Sequence, residues 1–398
     1  MTNDDYTAIK MFIEDMPGVV QPRLFSTPIV SNMEKPDIIR LIYAINQHPC
    51  KTTSESVNEN MSKKVHEKCR NPNIQAVCPH GYVLKVTNSM DTKNPGLIDG
   101  QNQMMLYLKA GTFNVPKPVK NVNGLYMSAE RINGAQVDEF IENNDNERAA
   151  SSRYMVRLLT FVPGKTLYEV PYTAQLFHEC GEYIAKMDNV LQSFKHESIS
   201  SRCFIWMLSQ TPDLKKFAFA VRDEKRHSLI MEVLDAWKNQ VEPCLPRLDK
   251  GIVHGDFNEQ NILVNEDPAT ASLYHIDGVL DFGDISESCY VFEVSITIMY
   301  IMIEVTSLPA NDAGGHLLAG YLKHRELTDA EWSILKECIA ARFAQSLVMG
   351  AYSYEQDPGN EYLLTTAAKG WDVLEAFWRV PKQEIYTRWR EIIASYSR

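Results

Sequence analysis

The N-terminal part of the chain shows two hydrophobic periods. Residues 36–46 place apolar side chains at helical spacing and predict a short helix, whereas residues 47–80 are polar and predict a long loop or an irregular pair of strands. Residues 81–87 follow the two-residue period of a strand, with Lys85 on its second face. The first clearly predicted strand therefore carries a lysine.

A helix and further strands are predicted after this strand. Asn94–Pro95 supplies a cap and a first-turn proline, and apolar residues then recur at helical spacing as far as Leu108. Residues 125–128 and 154–161 are predicted to be strands, and Pro163–Gly164 breaks the pattern. The order helix, strand, helix, strands indicates a lobe that contains a sheet.

The rest of the chain is mostly helical, with a short β-rich insert. Two strands are predicted, at residues 261–264 and 273–282. We expect an α+β fold of two lobes, with a small β-containing N-terminal lobe over residues 1–161 and a larger, mainly helical C-terminal lobe over residues 162–398. The helical segments are 175–194, 229–237, 294–303 and the stretch from the capping box Thr328–Glu331 to about Met349.

Composition and charge narrow the classes of function. With 398 residues, 44% hydrophobic and 23% charged, the chain has the usage of a globular protein long enough for two lobes. Its 51 Asp and Glu against 40 Lys and Arg give a formal net charge of -11, which argues against nucleic acid or an anionic membrane as partner. A cationic small molecule suits this charge better, provided that carboxylates converge on a site.

Three features of the sequence indicate the cellular compartment of the protein. The 8 cysteines form no C-x-x-C pair and no zinc-site spacing, which favours a reducing environment. The first residues carry acids before any apolar run, unlike a secretory signal. Residues 294–303 are too few to cross a bilayer. We therefore expect a cytoplasmic protein with no membrane partner.

The densest chemical signal is the run VHGDFNEQN at residues 253–261, followed by DFGD at residues 281–284. Phosphoryl transfer from a nucleotide needs a carboxylate beside the accepting hydroxyl and oxygen ligands that hold Mg²⁺ against the phosphates. Asp256 and Asn261 match H-x-D-x-x-x-x-N, and Asp281 opens a D-F-G. The strands predicted between them would bring Asn261 and Asp281 to one end of a hairpin. We predict Asp256 as the catalytic base and the other two as magnesium ligands.

Each of these motifs has an ordinary structural interpretation when it stands alone. An isolated D-F-G, or an Asp five residues before an Asn, is more often a turn or a helix cap than a metal site. Their order and their loop and strand context favour a kinase. Asp277–Gly278 is a competing acidic pair, which we interpret as a tight turn between apolar runs.

Lys85 is predicted to bind the nucleotide phosphates, because its strand precedes a helix as in kinases. The alternative for a lone lysine on a strand is a solvated edge residue. Kinases usually orient this lysine with a Glu on the following helix. Gln101 occupies the corresponding position here, so Asp99 is the alternative partner.

A second phosphate-binding motif is incomplete. Pro163–Thr166 resembles the end of a P-loop, but Leu159 stands where that motif needs its first glycine. We interpret this segment as the linker between the lobes. No G-x-G-x-x-G precedes Lys85, so the loop that covers the phosphates must use another sequence or be partly missing.

These residues carry a resemblance to a known family. VHGDFNEQNILV and GVLDFGD resemble the catalytic and metal motifs of the aminoglycoside phosphotransferase and choline kinase superfamily, whose fold is that of protein kinases. That resemblance extends from about Gly81 to the C-terminus. Further segments resemble, more narrowly, the hydroxylysine kinase family, which phosphorylates the side-chain hydroxyl of free 5-hydroxy-L-lysine with GTP: NPGLIDGQNQMMLYLKAG, VRLLTFVPGKTL, YVFEVSITIMYIMIE, GGHLLAGY and QSLVMGAYSY.

The resemblance implies a protein-kinase-like fold and a role for each matching residue. It makes Asp256 the base, Asn261 and Asp281 the Mg²⁺ ligands and Lys85 the phosphate-binding lysine. The first 80 residues depart from the family pattern, because they contain no recognisable short polar loop of the kind that covers the phosphates. The hinge beside the purine would comprise Leu159, Thr160, Phe161 and Val162.

The expected reaction is Mg²⁺-dependent transfer of the γ-phosphoryl group of GTP, or ATP, to a hydroxylated cationic amino acid. Two alternatives stay open: a kinase for choline, ethanolamine or an aminoglycoside that uses ATP, and a nucleotide-binding pseudokinase. The two ammonium groups of hydroxylysine suit an acidic pocket. Its candidate residues, each as well explained by a solvated or helix-capping acid, are Asp284, Glu287, Glu293 and Glu304.

Overall fold

The protein's computed structural model describes residues 73–74, 78–87, 93–131, 153–356 and 366–396. These residues form two compact units that divide between Pro163 and Gly164, and Gly111–Asn114 groups with the second unit. The helix predicted at residues 36–46 lies outside the described residues, as does most of the polar stretch 47–80.

Four strands and one helix make up the described part of the first unit. Lys85 lies opposite Arg157 in the register, and because directly opposite residues of an antiparallel pair project to the same face, these two cations share one face of the sheet. The central strand β4 (Arg153–Thr160) pairs antiparallel with β1 (Tyr82–Val86), β2 (Pro118–Val119) and β3 (Ser128–Arg131).

Helix α1 (Pro95–Ala110) confirms the predicted cap and periodicity. Asn94 Oδ1 accepts a hydrogen bond from the Leu97 backbone N–H at 3.2 Å, which satisfies one donor of the first turn. The residues that recur at helical spacing are buried: Leu97, Gln101, Met104, Met105 and Leu108.

The strand predicted at residues 125–128 was misplaced, since β3 begins only at Ser128. Asn121 Oδ1 accepts from the backbone N–H of Leu125 at 3.0 Å, and Gly124 adopts a φ of 80°. Asparagine and glycine therefore extend a turn as far as Leu125.

Helices dominate the second unit and confirm its predicted character. Residues 229–237 were predicted to be part of a helix, and that helix begins at Glu224, where Asp223 Oδ1 caps it by accepting from the Arg226 N–H at 2.9 Å. Short 3₁₀ and π-helical turns follow or connect several helices. The helices are α2 (Ala174–Leu191), α3 (Glu197–Ser200), α4 (Glu224–Ala236), α5 (Tyr290–Glu304), α6 (Ala310–Tyr321), α7 (Asp329–Gln356), α8 (Ala367–Arg379) and α9 (Lys382–Ser395).

Helices α5 and α7 pack together in the core of this unit. All of α5 is buried except Tyr300 and Glu304, as predicted for the longest apolar run. The capping box that opens α7 is also confirmed, since Glu331 Oε2 accepts from the Thr328 N–H at 2.8 Å. Among the described residues, no helix combines the length and the apolar character that a bilayer crossing requires.

Five strands in the described part of the second unit place the motifs. Leu280 N–H donates to the Asn261 carbonyl at 2.8 Å, so the predicted hairpin returns Asp281 to the end at which Asn261 lies. The strands β5 (Lys165–Thr166), β7 (Ile262–Glu266) and β8 (Tyr274–Val279) form one sheet, and β6 (Lys250–Val253) pairs with β9 (Ser286–Cys289).

The prediction of a tight turn at Asp277–Gly278 was wrong, because both residues lie inside β8. The Asn114 carbonyl accepts from the Val279 N–H at 3.2 Å, and the Asn114 side-chain amide donates to the Asp277 carboxylate. A Cβ at Gly278 would collide with the Asn114 carbonyl. The glycine thus permits a close approach of two backbones and not a reversal of the chain.

Candidate active site

Asp256 lies in the loop between β6 and β7, where three side chains hold its carboxylate. Its Oδ2 accepts hydrogen bonds from Asn258 Nδ2 at 2.9 Å and from Asn261 Nδ2 at 3.1 Å. Its Oδ1 accepts from Arg342 Nη2 at 3.0 Å. The side chain is 24% exposed. A carboxylate that is fixed through both oxygens and still accessible can take a proton from a bound hydroxyl.

Asn261 closes the loop that carries Asp256. Its amide nitrogen also donates to the Asp256 carbonyl at 2.9 Å, and its backbone N–H donates to Asn258 Oδ1 at 3.1 Å. The five-residue spacing therefore folds so that aspartate and asparagine are in direct contact. Since these bonds use the amide nitrogen, the amide oxygen of Asn261 is the atom suited to a cation.

His254 fixes the start of the same loop. Its fully buried ring donates from Nε2 to the Leu280 carbonyl at 2.8 Å, and Phe257 and Phe282 pack edge-on against it. Because a carbonyl can only accept, Nε2 carries the proton. The histidine ties the Asp256 loop to the residue before Asp281.

Asp281 occupies the turn that leaves β8. Its φ of 51° lies in the left-handed region, which is sparsely populated for residues other than glycine. Its Oδ1 accepts from the Gly283 N–H at 3.0 Å, and the residue is exposed. Such local strain is typical of functional turns.

Asp284 adds a further carboxylate to the site, close to the negative charges of Asp256 and Asp281. Burial and the charges of Asp256 and Asp281 raise the pKa of Asp284 to about 7, against the opposing charges of Arg342 and Arg202. Arg202 Nη1 holds this turn by donating to the Gly283 carbonyl at 2.7 Å and to the Ile285 carbonyl at 2.9 Å.

The other acidic pocket candidates occupy different environments. Glu293 is fully buried, and its Oε2 accepts from the Gly255 N–H at 2.8 Å, so it anchors the catalytic loop to α5. Glu287 is exposed in β9. Glu304 pairs with Lys369 at 2.8 Å.

Glu259 is a further acidic residue near the site, which the motif analysis did not single out. Burial, together with the charges of Glu304 and Asp256, raises the pKa of Glu259 to about 7. Its Oε2 is buried and has no hydrogen-bond partner within the described part of the chain. A nearby cation would stabilise this carboxylate.

Arg342 binds the Asp256 carboxylate, and the sequence motifs did not predict this contact. It lies in α7, 86 positions after Asp256, and its side chain is only 1% exposed. The pattern of α7 gives no sign of this role, because an arginine within a long helix is ordinarily a solvated residue. Only the packing of α7 beside the loop brings the two charges together.

Lys85 and Gln101 belong to the first unit. Arg157, opposite Lys85, is 4% exposed and donates to Gln101 Oε1 at 2.6 Å and to Asn102 Oδ1 at 2.9 Å. The side-chain oxygen of Gln101 therefore binds Arg157.

The predicted hinge residues end β4 and continue beyond it. Leu159 and Val162 are buried. The Thr160 N–H donates to the Lys117 carbonyl at 2.9 Å, and the Phe161 N–H donates to the Gly81 carbonyl at 3.0 Å. Hydrogen bonds from this segment to a ligand would therefore come from other backbone groups.

The segment that resembles a P-loop has another structural use. Lys165 Nζ donates to the Tyr274 hydroxyl at 3.0 Å. The backbone N–H and the hydroxyl of Thr166 both donate to Glu169 Oε2, at 2.7 and 3.0 Å. This arrangement caps a short 3₁₀ turn.

A divalent cation fits the donor set at the end of the β7–β8 hairpin. The described residues hold no group of three His, Cys, Asp or Glu arranged as a ready metal centre. Mg²⁺ needs none, since it is commonly bound by one or two carboxylates plus phosphates and water. Burial is the main cause of the raised pKa of Asp284, and a cation here would relieve the smaller contribution that comes from the charges of Asp256 and Asp281.

Residues 64–327 match the family described as phosphotransferase enzyme family. The chain is 36% identical over 324 residues to hydroxylysine kinase of Bos taurus, covering 80% of this chain and 82% of that protein. It is likewise 36% identical over 326 residues to hydroxylysine kinase of Xenopus laevis, with 79% and 82% covered.

A solved structure of amicoumacin kinase in complex with AMP-PNP, Ca²⁺ and Ami is similar in fold. Its TM-score is 0.60 at 14% identity, covering 90% of this chain and 99% of that one. The predicted α+β, protein-kinase-like fold is thereby confirmed. The chain belongs to the phosphotransferase enzyme family, together with the hydroxylysine kinases, and is an enzyme that phosphorylates an alcohol.

Proposed function

We propose that the protein transfers the γ-phosphoryl group of GTP to the side-chain hydroxyl of 5-hydroxy-L-lysine, with Mg²⁺, giving 5-phosphohydroxy-L-lysine and GDP. The observation that carries the proposal is the accessible Asp256 carboxylate, which Asn261 holds at the end of the hairpin that leads to Asp281. Identity to hydroxylysine kinases over 80% of the chain supports the choice of acceptor.

Asp256 is the catalytic base in this proposal. As the acceptor oxygen attacks the γ-phosphorus, its proton passes to the carboxylate, and the bond from the γ-phosphorus to the bridging oxygen breaks to release GDP. Oδ2 already accepts two N–H groups and Oδ1 accepts one. Oδ1 therefore keeps a lone pair with which to receive the proton.

Asn261 and Asp281 are the proposed ligands of Mg²⁺. The amide oxygen of Asn261 and the carboxylate of Asp281 are hard oxygen donors, which this ion prefers. The bound ion would supply the positive charge that neutralises the phosphates during transfer. The hydrogen bonds from Asn261 to the Asp256 carbonyl and from the Gly283 N–H to Asp281 support this proposal, because they restrain both side chains.

Lys85 is the proposed contact to the nucleotide phosphates, and the hinge Leu159–Val162 is the proposed neighbour of the purine. The support for this role is that Lys85 lies on β1, the strand that precedes helix α1, as the phosphate-binding lysine does in kinases. The net charge of -11 makes such local positive charge necessary for a nucleotide.

The acceptor carries two ammonium groups, which suit the carboxylates around the base. Burial raises the pKa of Glu259, and the negative charges of Glu304 and Asp256 raise it further. An ammonium group nearby would favour the ionised form of Glu259. We propose this neighbourhood, and not the buried Glu293, as the cationic part of the acceptor site.

A panel of nucleotides and acceptors tests the proposed function. Purified protein with GTP or ATP and Mg²⁺ is given 5-hydroxy-L-lysine, choline, ethanolamine or an aminoglycoside, and release of nucleoside diphosphate is measured. We expect GTP with hydroxylysine to give the highest kcat/KM, and L-lysine, which lacks the hydroxyl, to give none. If the protein phosphorylates another alcohol but not hydroxylysine, it is still a kinase for an alcohol, and hydroxylysine is rejected as its acceptor.

We further propose that the protein works in the cytoplasm. The cysteines of the described residues are all free thiols, namely Cys78, Cys180, Cys203, Cys244, Cys289 and Cys338. Several of them are buried, where reduction is compatible with ordinary apolar packing. A reducing compartment preserves this state.

A further inference from the structure

The guanidinium group of Arg342 makes four hydrogen bonds in the core beside the active site. Nη2 donates to Asp256 Oδ1 and to the Tyr300 hydroxyl, both at 3.0 Å. Nη1 donates to Gln345 Oε1 at 2.8 Å and to the Trp206 carbonyl at 3.2 Å. Burying such a charge is costly unless its partners are fixed and well oriented.

The partners of Arg342 are themselves held by separate elements. Gln345 Nε2 donates to the Ile205 carbonyl at 2.6 Å and to the Met207 carbonyl at 3.2 Å, which ties α7 to the segment 205–207. Tyr300 lies on α5, with its ring 5.3 Å from the guanidinium carbon. The plane of the guanidinium group is therefore set by two helices and one loop segment.

This fixed cation acts on one particular oxygen of the base. Oδ2 of Asp256 is bound by neighbours within its own loop, Asn258 and Asn261. Oδ1 is bound from outside the loop, by Arg342. Because Oδ1 is the oxygen with a lone pair left for the acceptor proton, its bond to Arg342 sets where that lone pair points.

We propose that Arg342 is a positioning residue, which orients the Asp256 carboxylate so that Oδ1 faces the hydroxyl of the acceptor. The proposal rests on the proposed function only in that Asp256 is the base, and it does not depend on which alcohol is phosphorylated. A lysine in this place would keep the positive charge, but it could not serve Asp256, Tyr300 and the 205–207 segment together from one planar group.

The first test compares Arg342→Lys with a matched control, Arg388→Lys. Arg388 also pairs with an aspartate, Asp312, at 2.7 and 3.0 Å, but it links α6 and α9 at the surface. We expect Arg342→Lys to lower kcat by about 10- to 100-fold, because small displacements of a catalytic group are costly, with both KM values within about twofold. Arg388→Lys should keep the wild-type kcat.

Chemical rescue separates orientation from overall folding. In Arg342→Ala, free guanidinium ion at a low, non-denaturing concentration should occupy the vacated space and recover part of kcat. Urea, which has a similar shape and no charge, should not. A purely structural role for Arg342 predicts a lowered midpoint of thermal unfolding with neither the selective loss of kcat nor the selective rescue.

Wild-type kcat in a folded Arg342→Lys protein would overturn the proposal. If the Arg342 variants do not fold, Tyr300→Phe decides, since it removes one oxygen that fixes Nη2: a loss of kcat at constant KM supports positioning, and an unchanged kcat overturns it. If the wild-type protein phosphorylates no acceptor, the proposed function fails separately. In that case, crystal structures of the wild-type protein and of Arg342→Lys are compared. An Asp256 carboxylate with the same orientation in both would reject the positioning role of Arg342.

Discussion

Glu293 is a buried glutamate that binds the backbone of the loop carrying Asp256, the proposed catalytic base. Its side chain is 0% exposed, and Oε2 accepts from the Gly255 N–H at 2.8 Å. Burial raises the pKa of Glu293 to about 7; the backbone hydrogen bonds from Gly255 and His254 lower it in part, and the charge of Asp256 raises it. Near neutral pH this carboxyl group is therefore partly protonated.

This shift predicts a dependence of stability on pH. Between the ordinary pKa of 4.5 and the folded value of about 7, the folded protein binds more protons at Glu293 than the unfolded chain does. The contribution of this group to the free energy of unfolding therefore falls as pH rises through that window and is lost above it. Glu293→Gln keeps an acceptor for Gly255 and cannot ionise.

We expect Glu293→Gln to flatten the fall in stability from about pH 4.5 to 7, and to be more stable than wild type above pH 7 by up to about 3 kcal/mol, the equivalent of the pKa shift. Urea unfolding at a series of pH values measures this. Glu326→Gln, a change at an exposed glutamate, is the control and should leave the profile unaltered. An unchanged slope in Glu293→Gln would refute the assignment.

Helices α2 and α6 cross with their backbones in close contact, and glycines make this approach possible. A Cβ at Gly320 of α6 would collide with the His178 carbonyl of α2, and one at Gly181 would collide with the Leu317 carbonyl. Backbone atoms cannot move aside as a flexible side chain can. The crossing therefore depends on glycine at both positions.

Gly320→Ala should accordingly destabilise the protein by about 2 kcal/mol or more, because the overlap must separate the two helices. Gly370→Ala in α8 is the matched control, since its added Cβ would meet only side-chain atoms, Leu347 Cδ2 first at 3.2 Å. There the gain in helix propensity offsets the tight contact. Equal midpoints of unfolding for both variants would argue against the crossing as described.

Elements set by local sequence could be predicted, and those set by distant contacts could not. The caps at Asn94 and Thr328 and the β7–β8 hairpin depend on neighbouring residues and were confirmed. The Asp277–Gly278 pair was wrongly predicted as a turn because its structure depends on Asn114, which is 163 positions away from Asp277. The backbone of Asn114 packs against Gly278. Arg342 escaped prediction for the same reason, since its partner is brought to it by tertiary packing alone.

At the scale of the whole molecule, the residues proposed for the nucleotide and those proposed for chemistry belong to different compact units. Lys85 and the hinge Leu159–Val162 lie in the first, and Asp256, Asn261 and Asp281 lie in the second. Phosphoryl transfer needs both sets, because the phosphates must be held while the hydroxyl is deprotonated.

The most direct test of the account is the rate of phosphoryl transfer from GTP to 5-hydroxy-L-lysine by Asp256→Asn. Asp312→Asn is the control, because Asp312 also pairs with an arginine but lies between α6 and α9. We predict that Asp256→Asn lowers kcat by about 10²- to 10⁴-fold, the usual contribution of a general base, with nucleotide binding retained. Asp312→Asn should keep the wild-type rate. A folded Asp256→Asn protein that turns over at the wild-type rate would contradict the account.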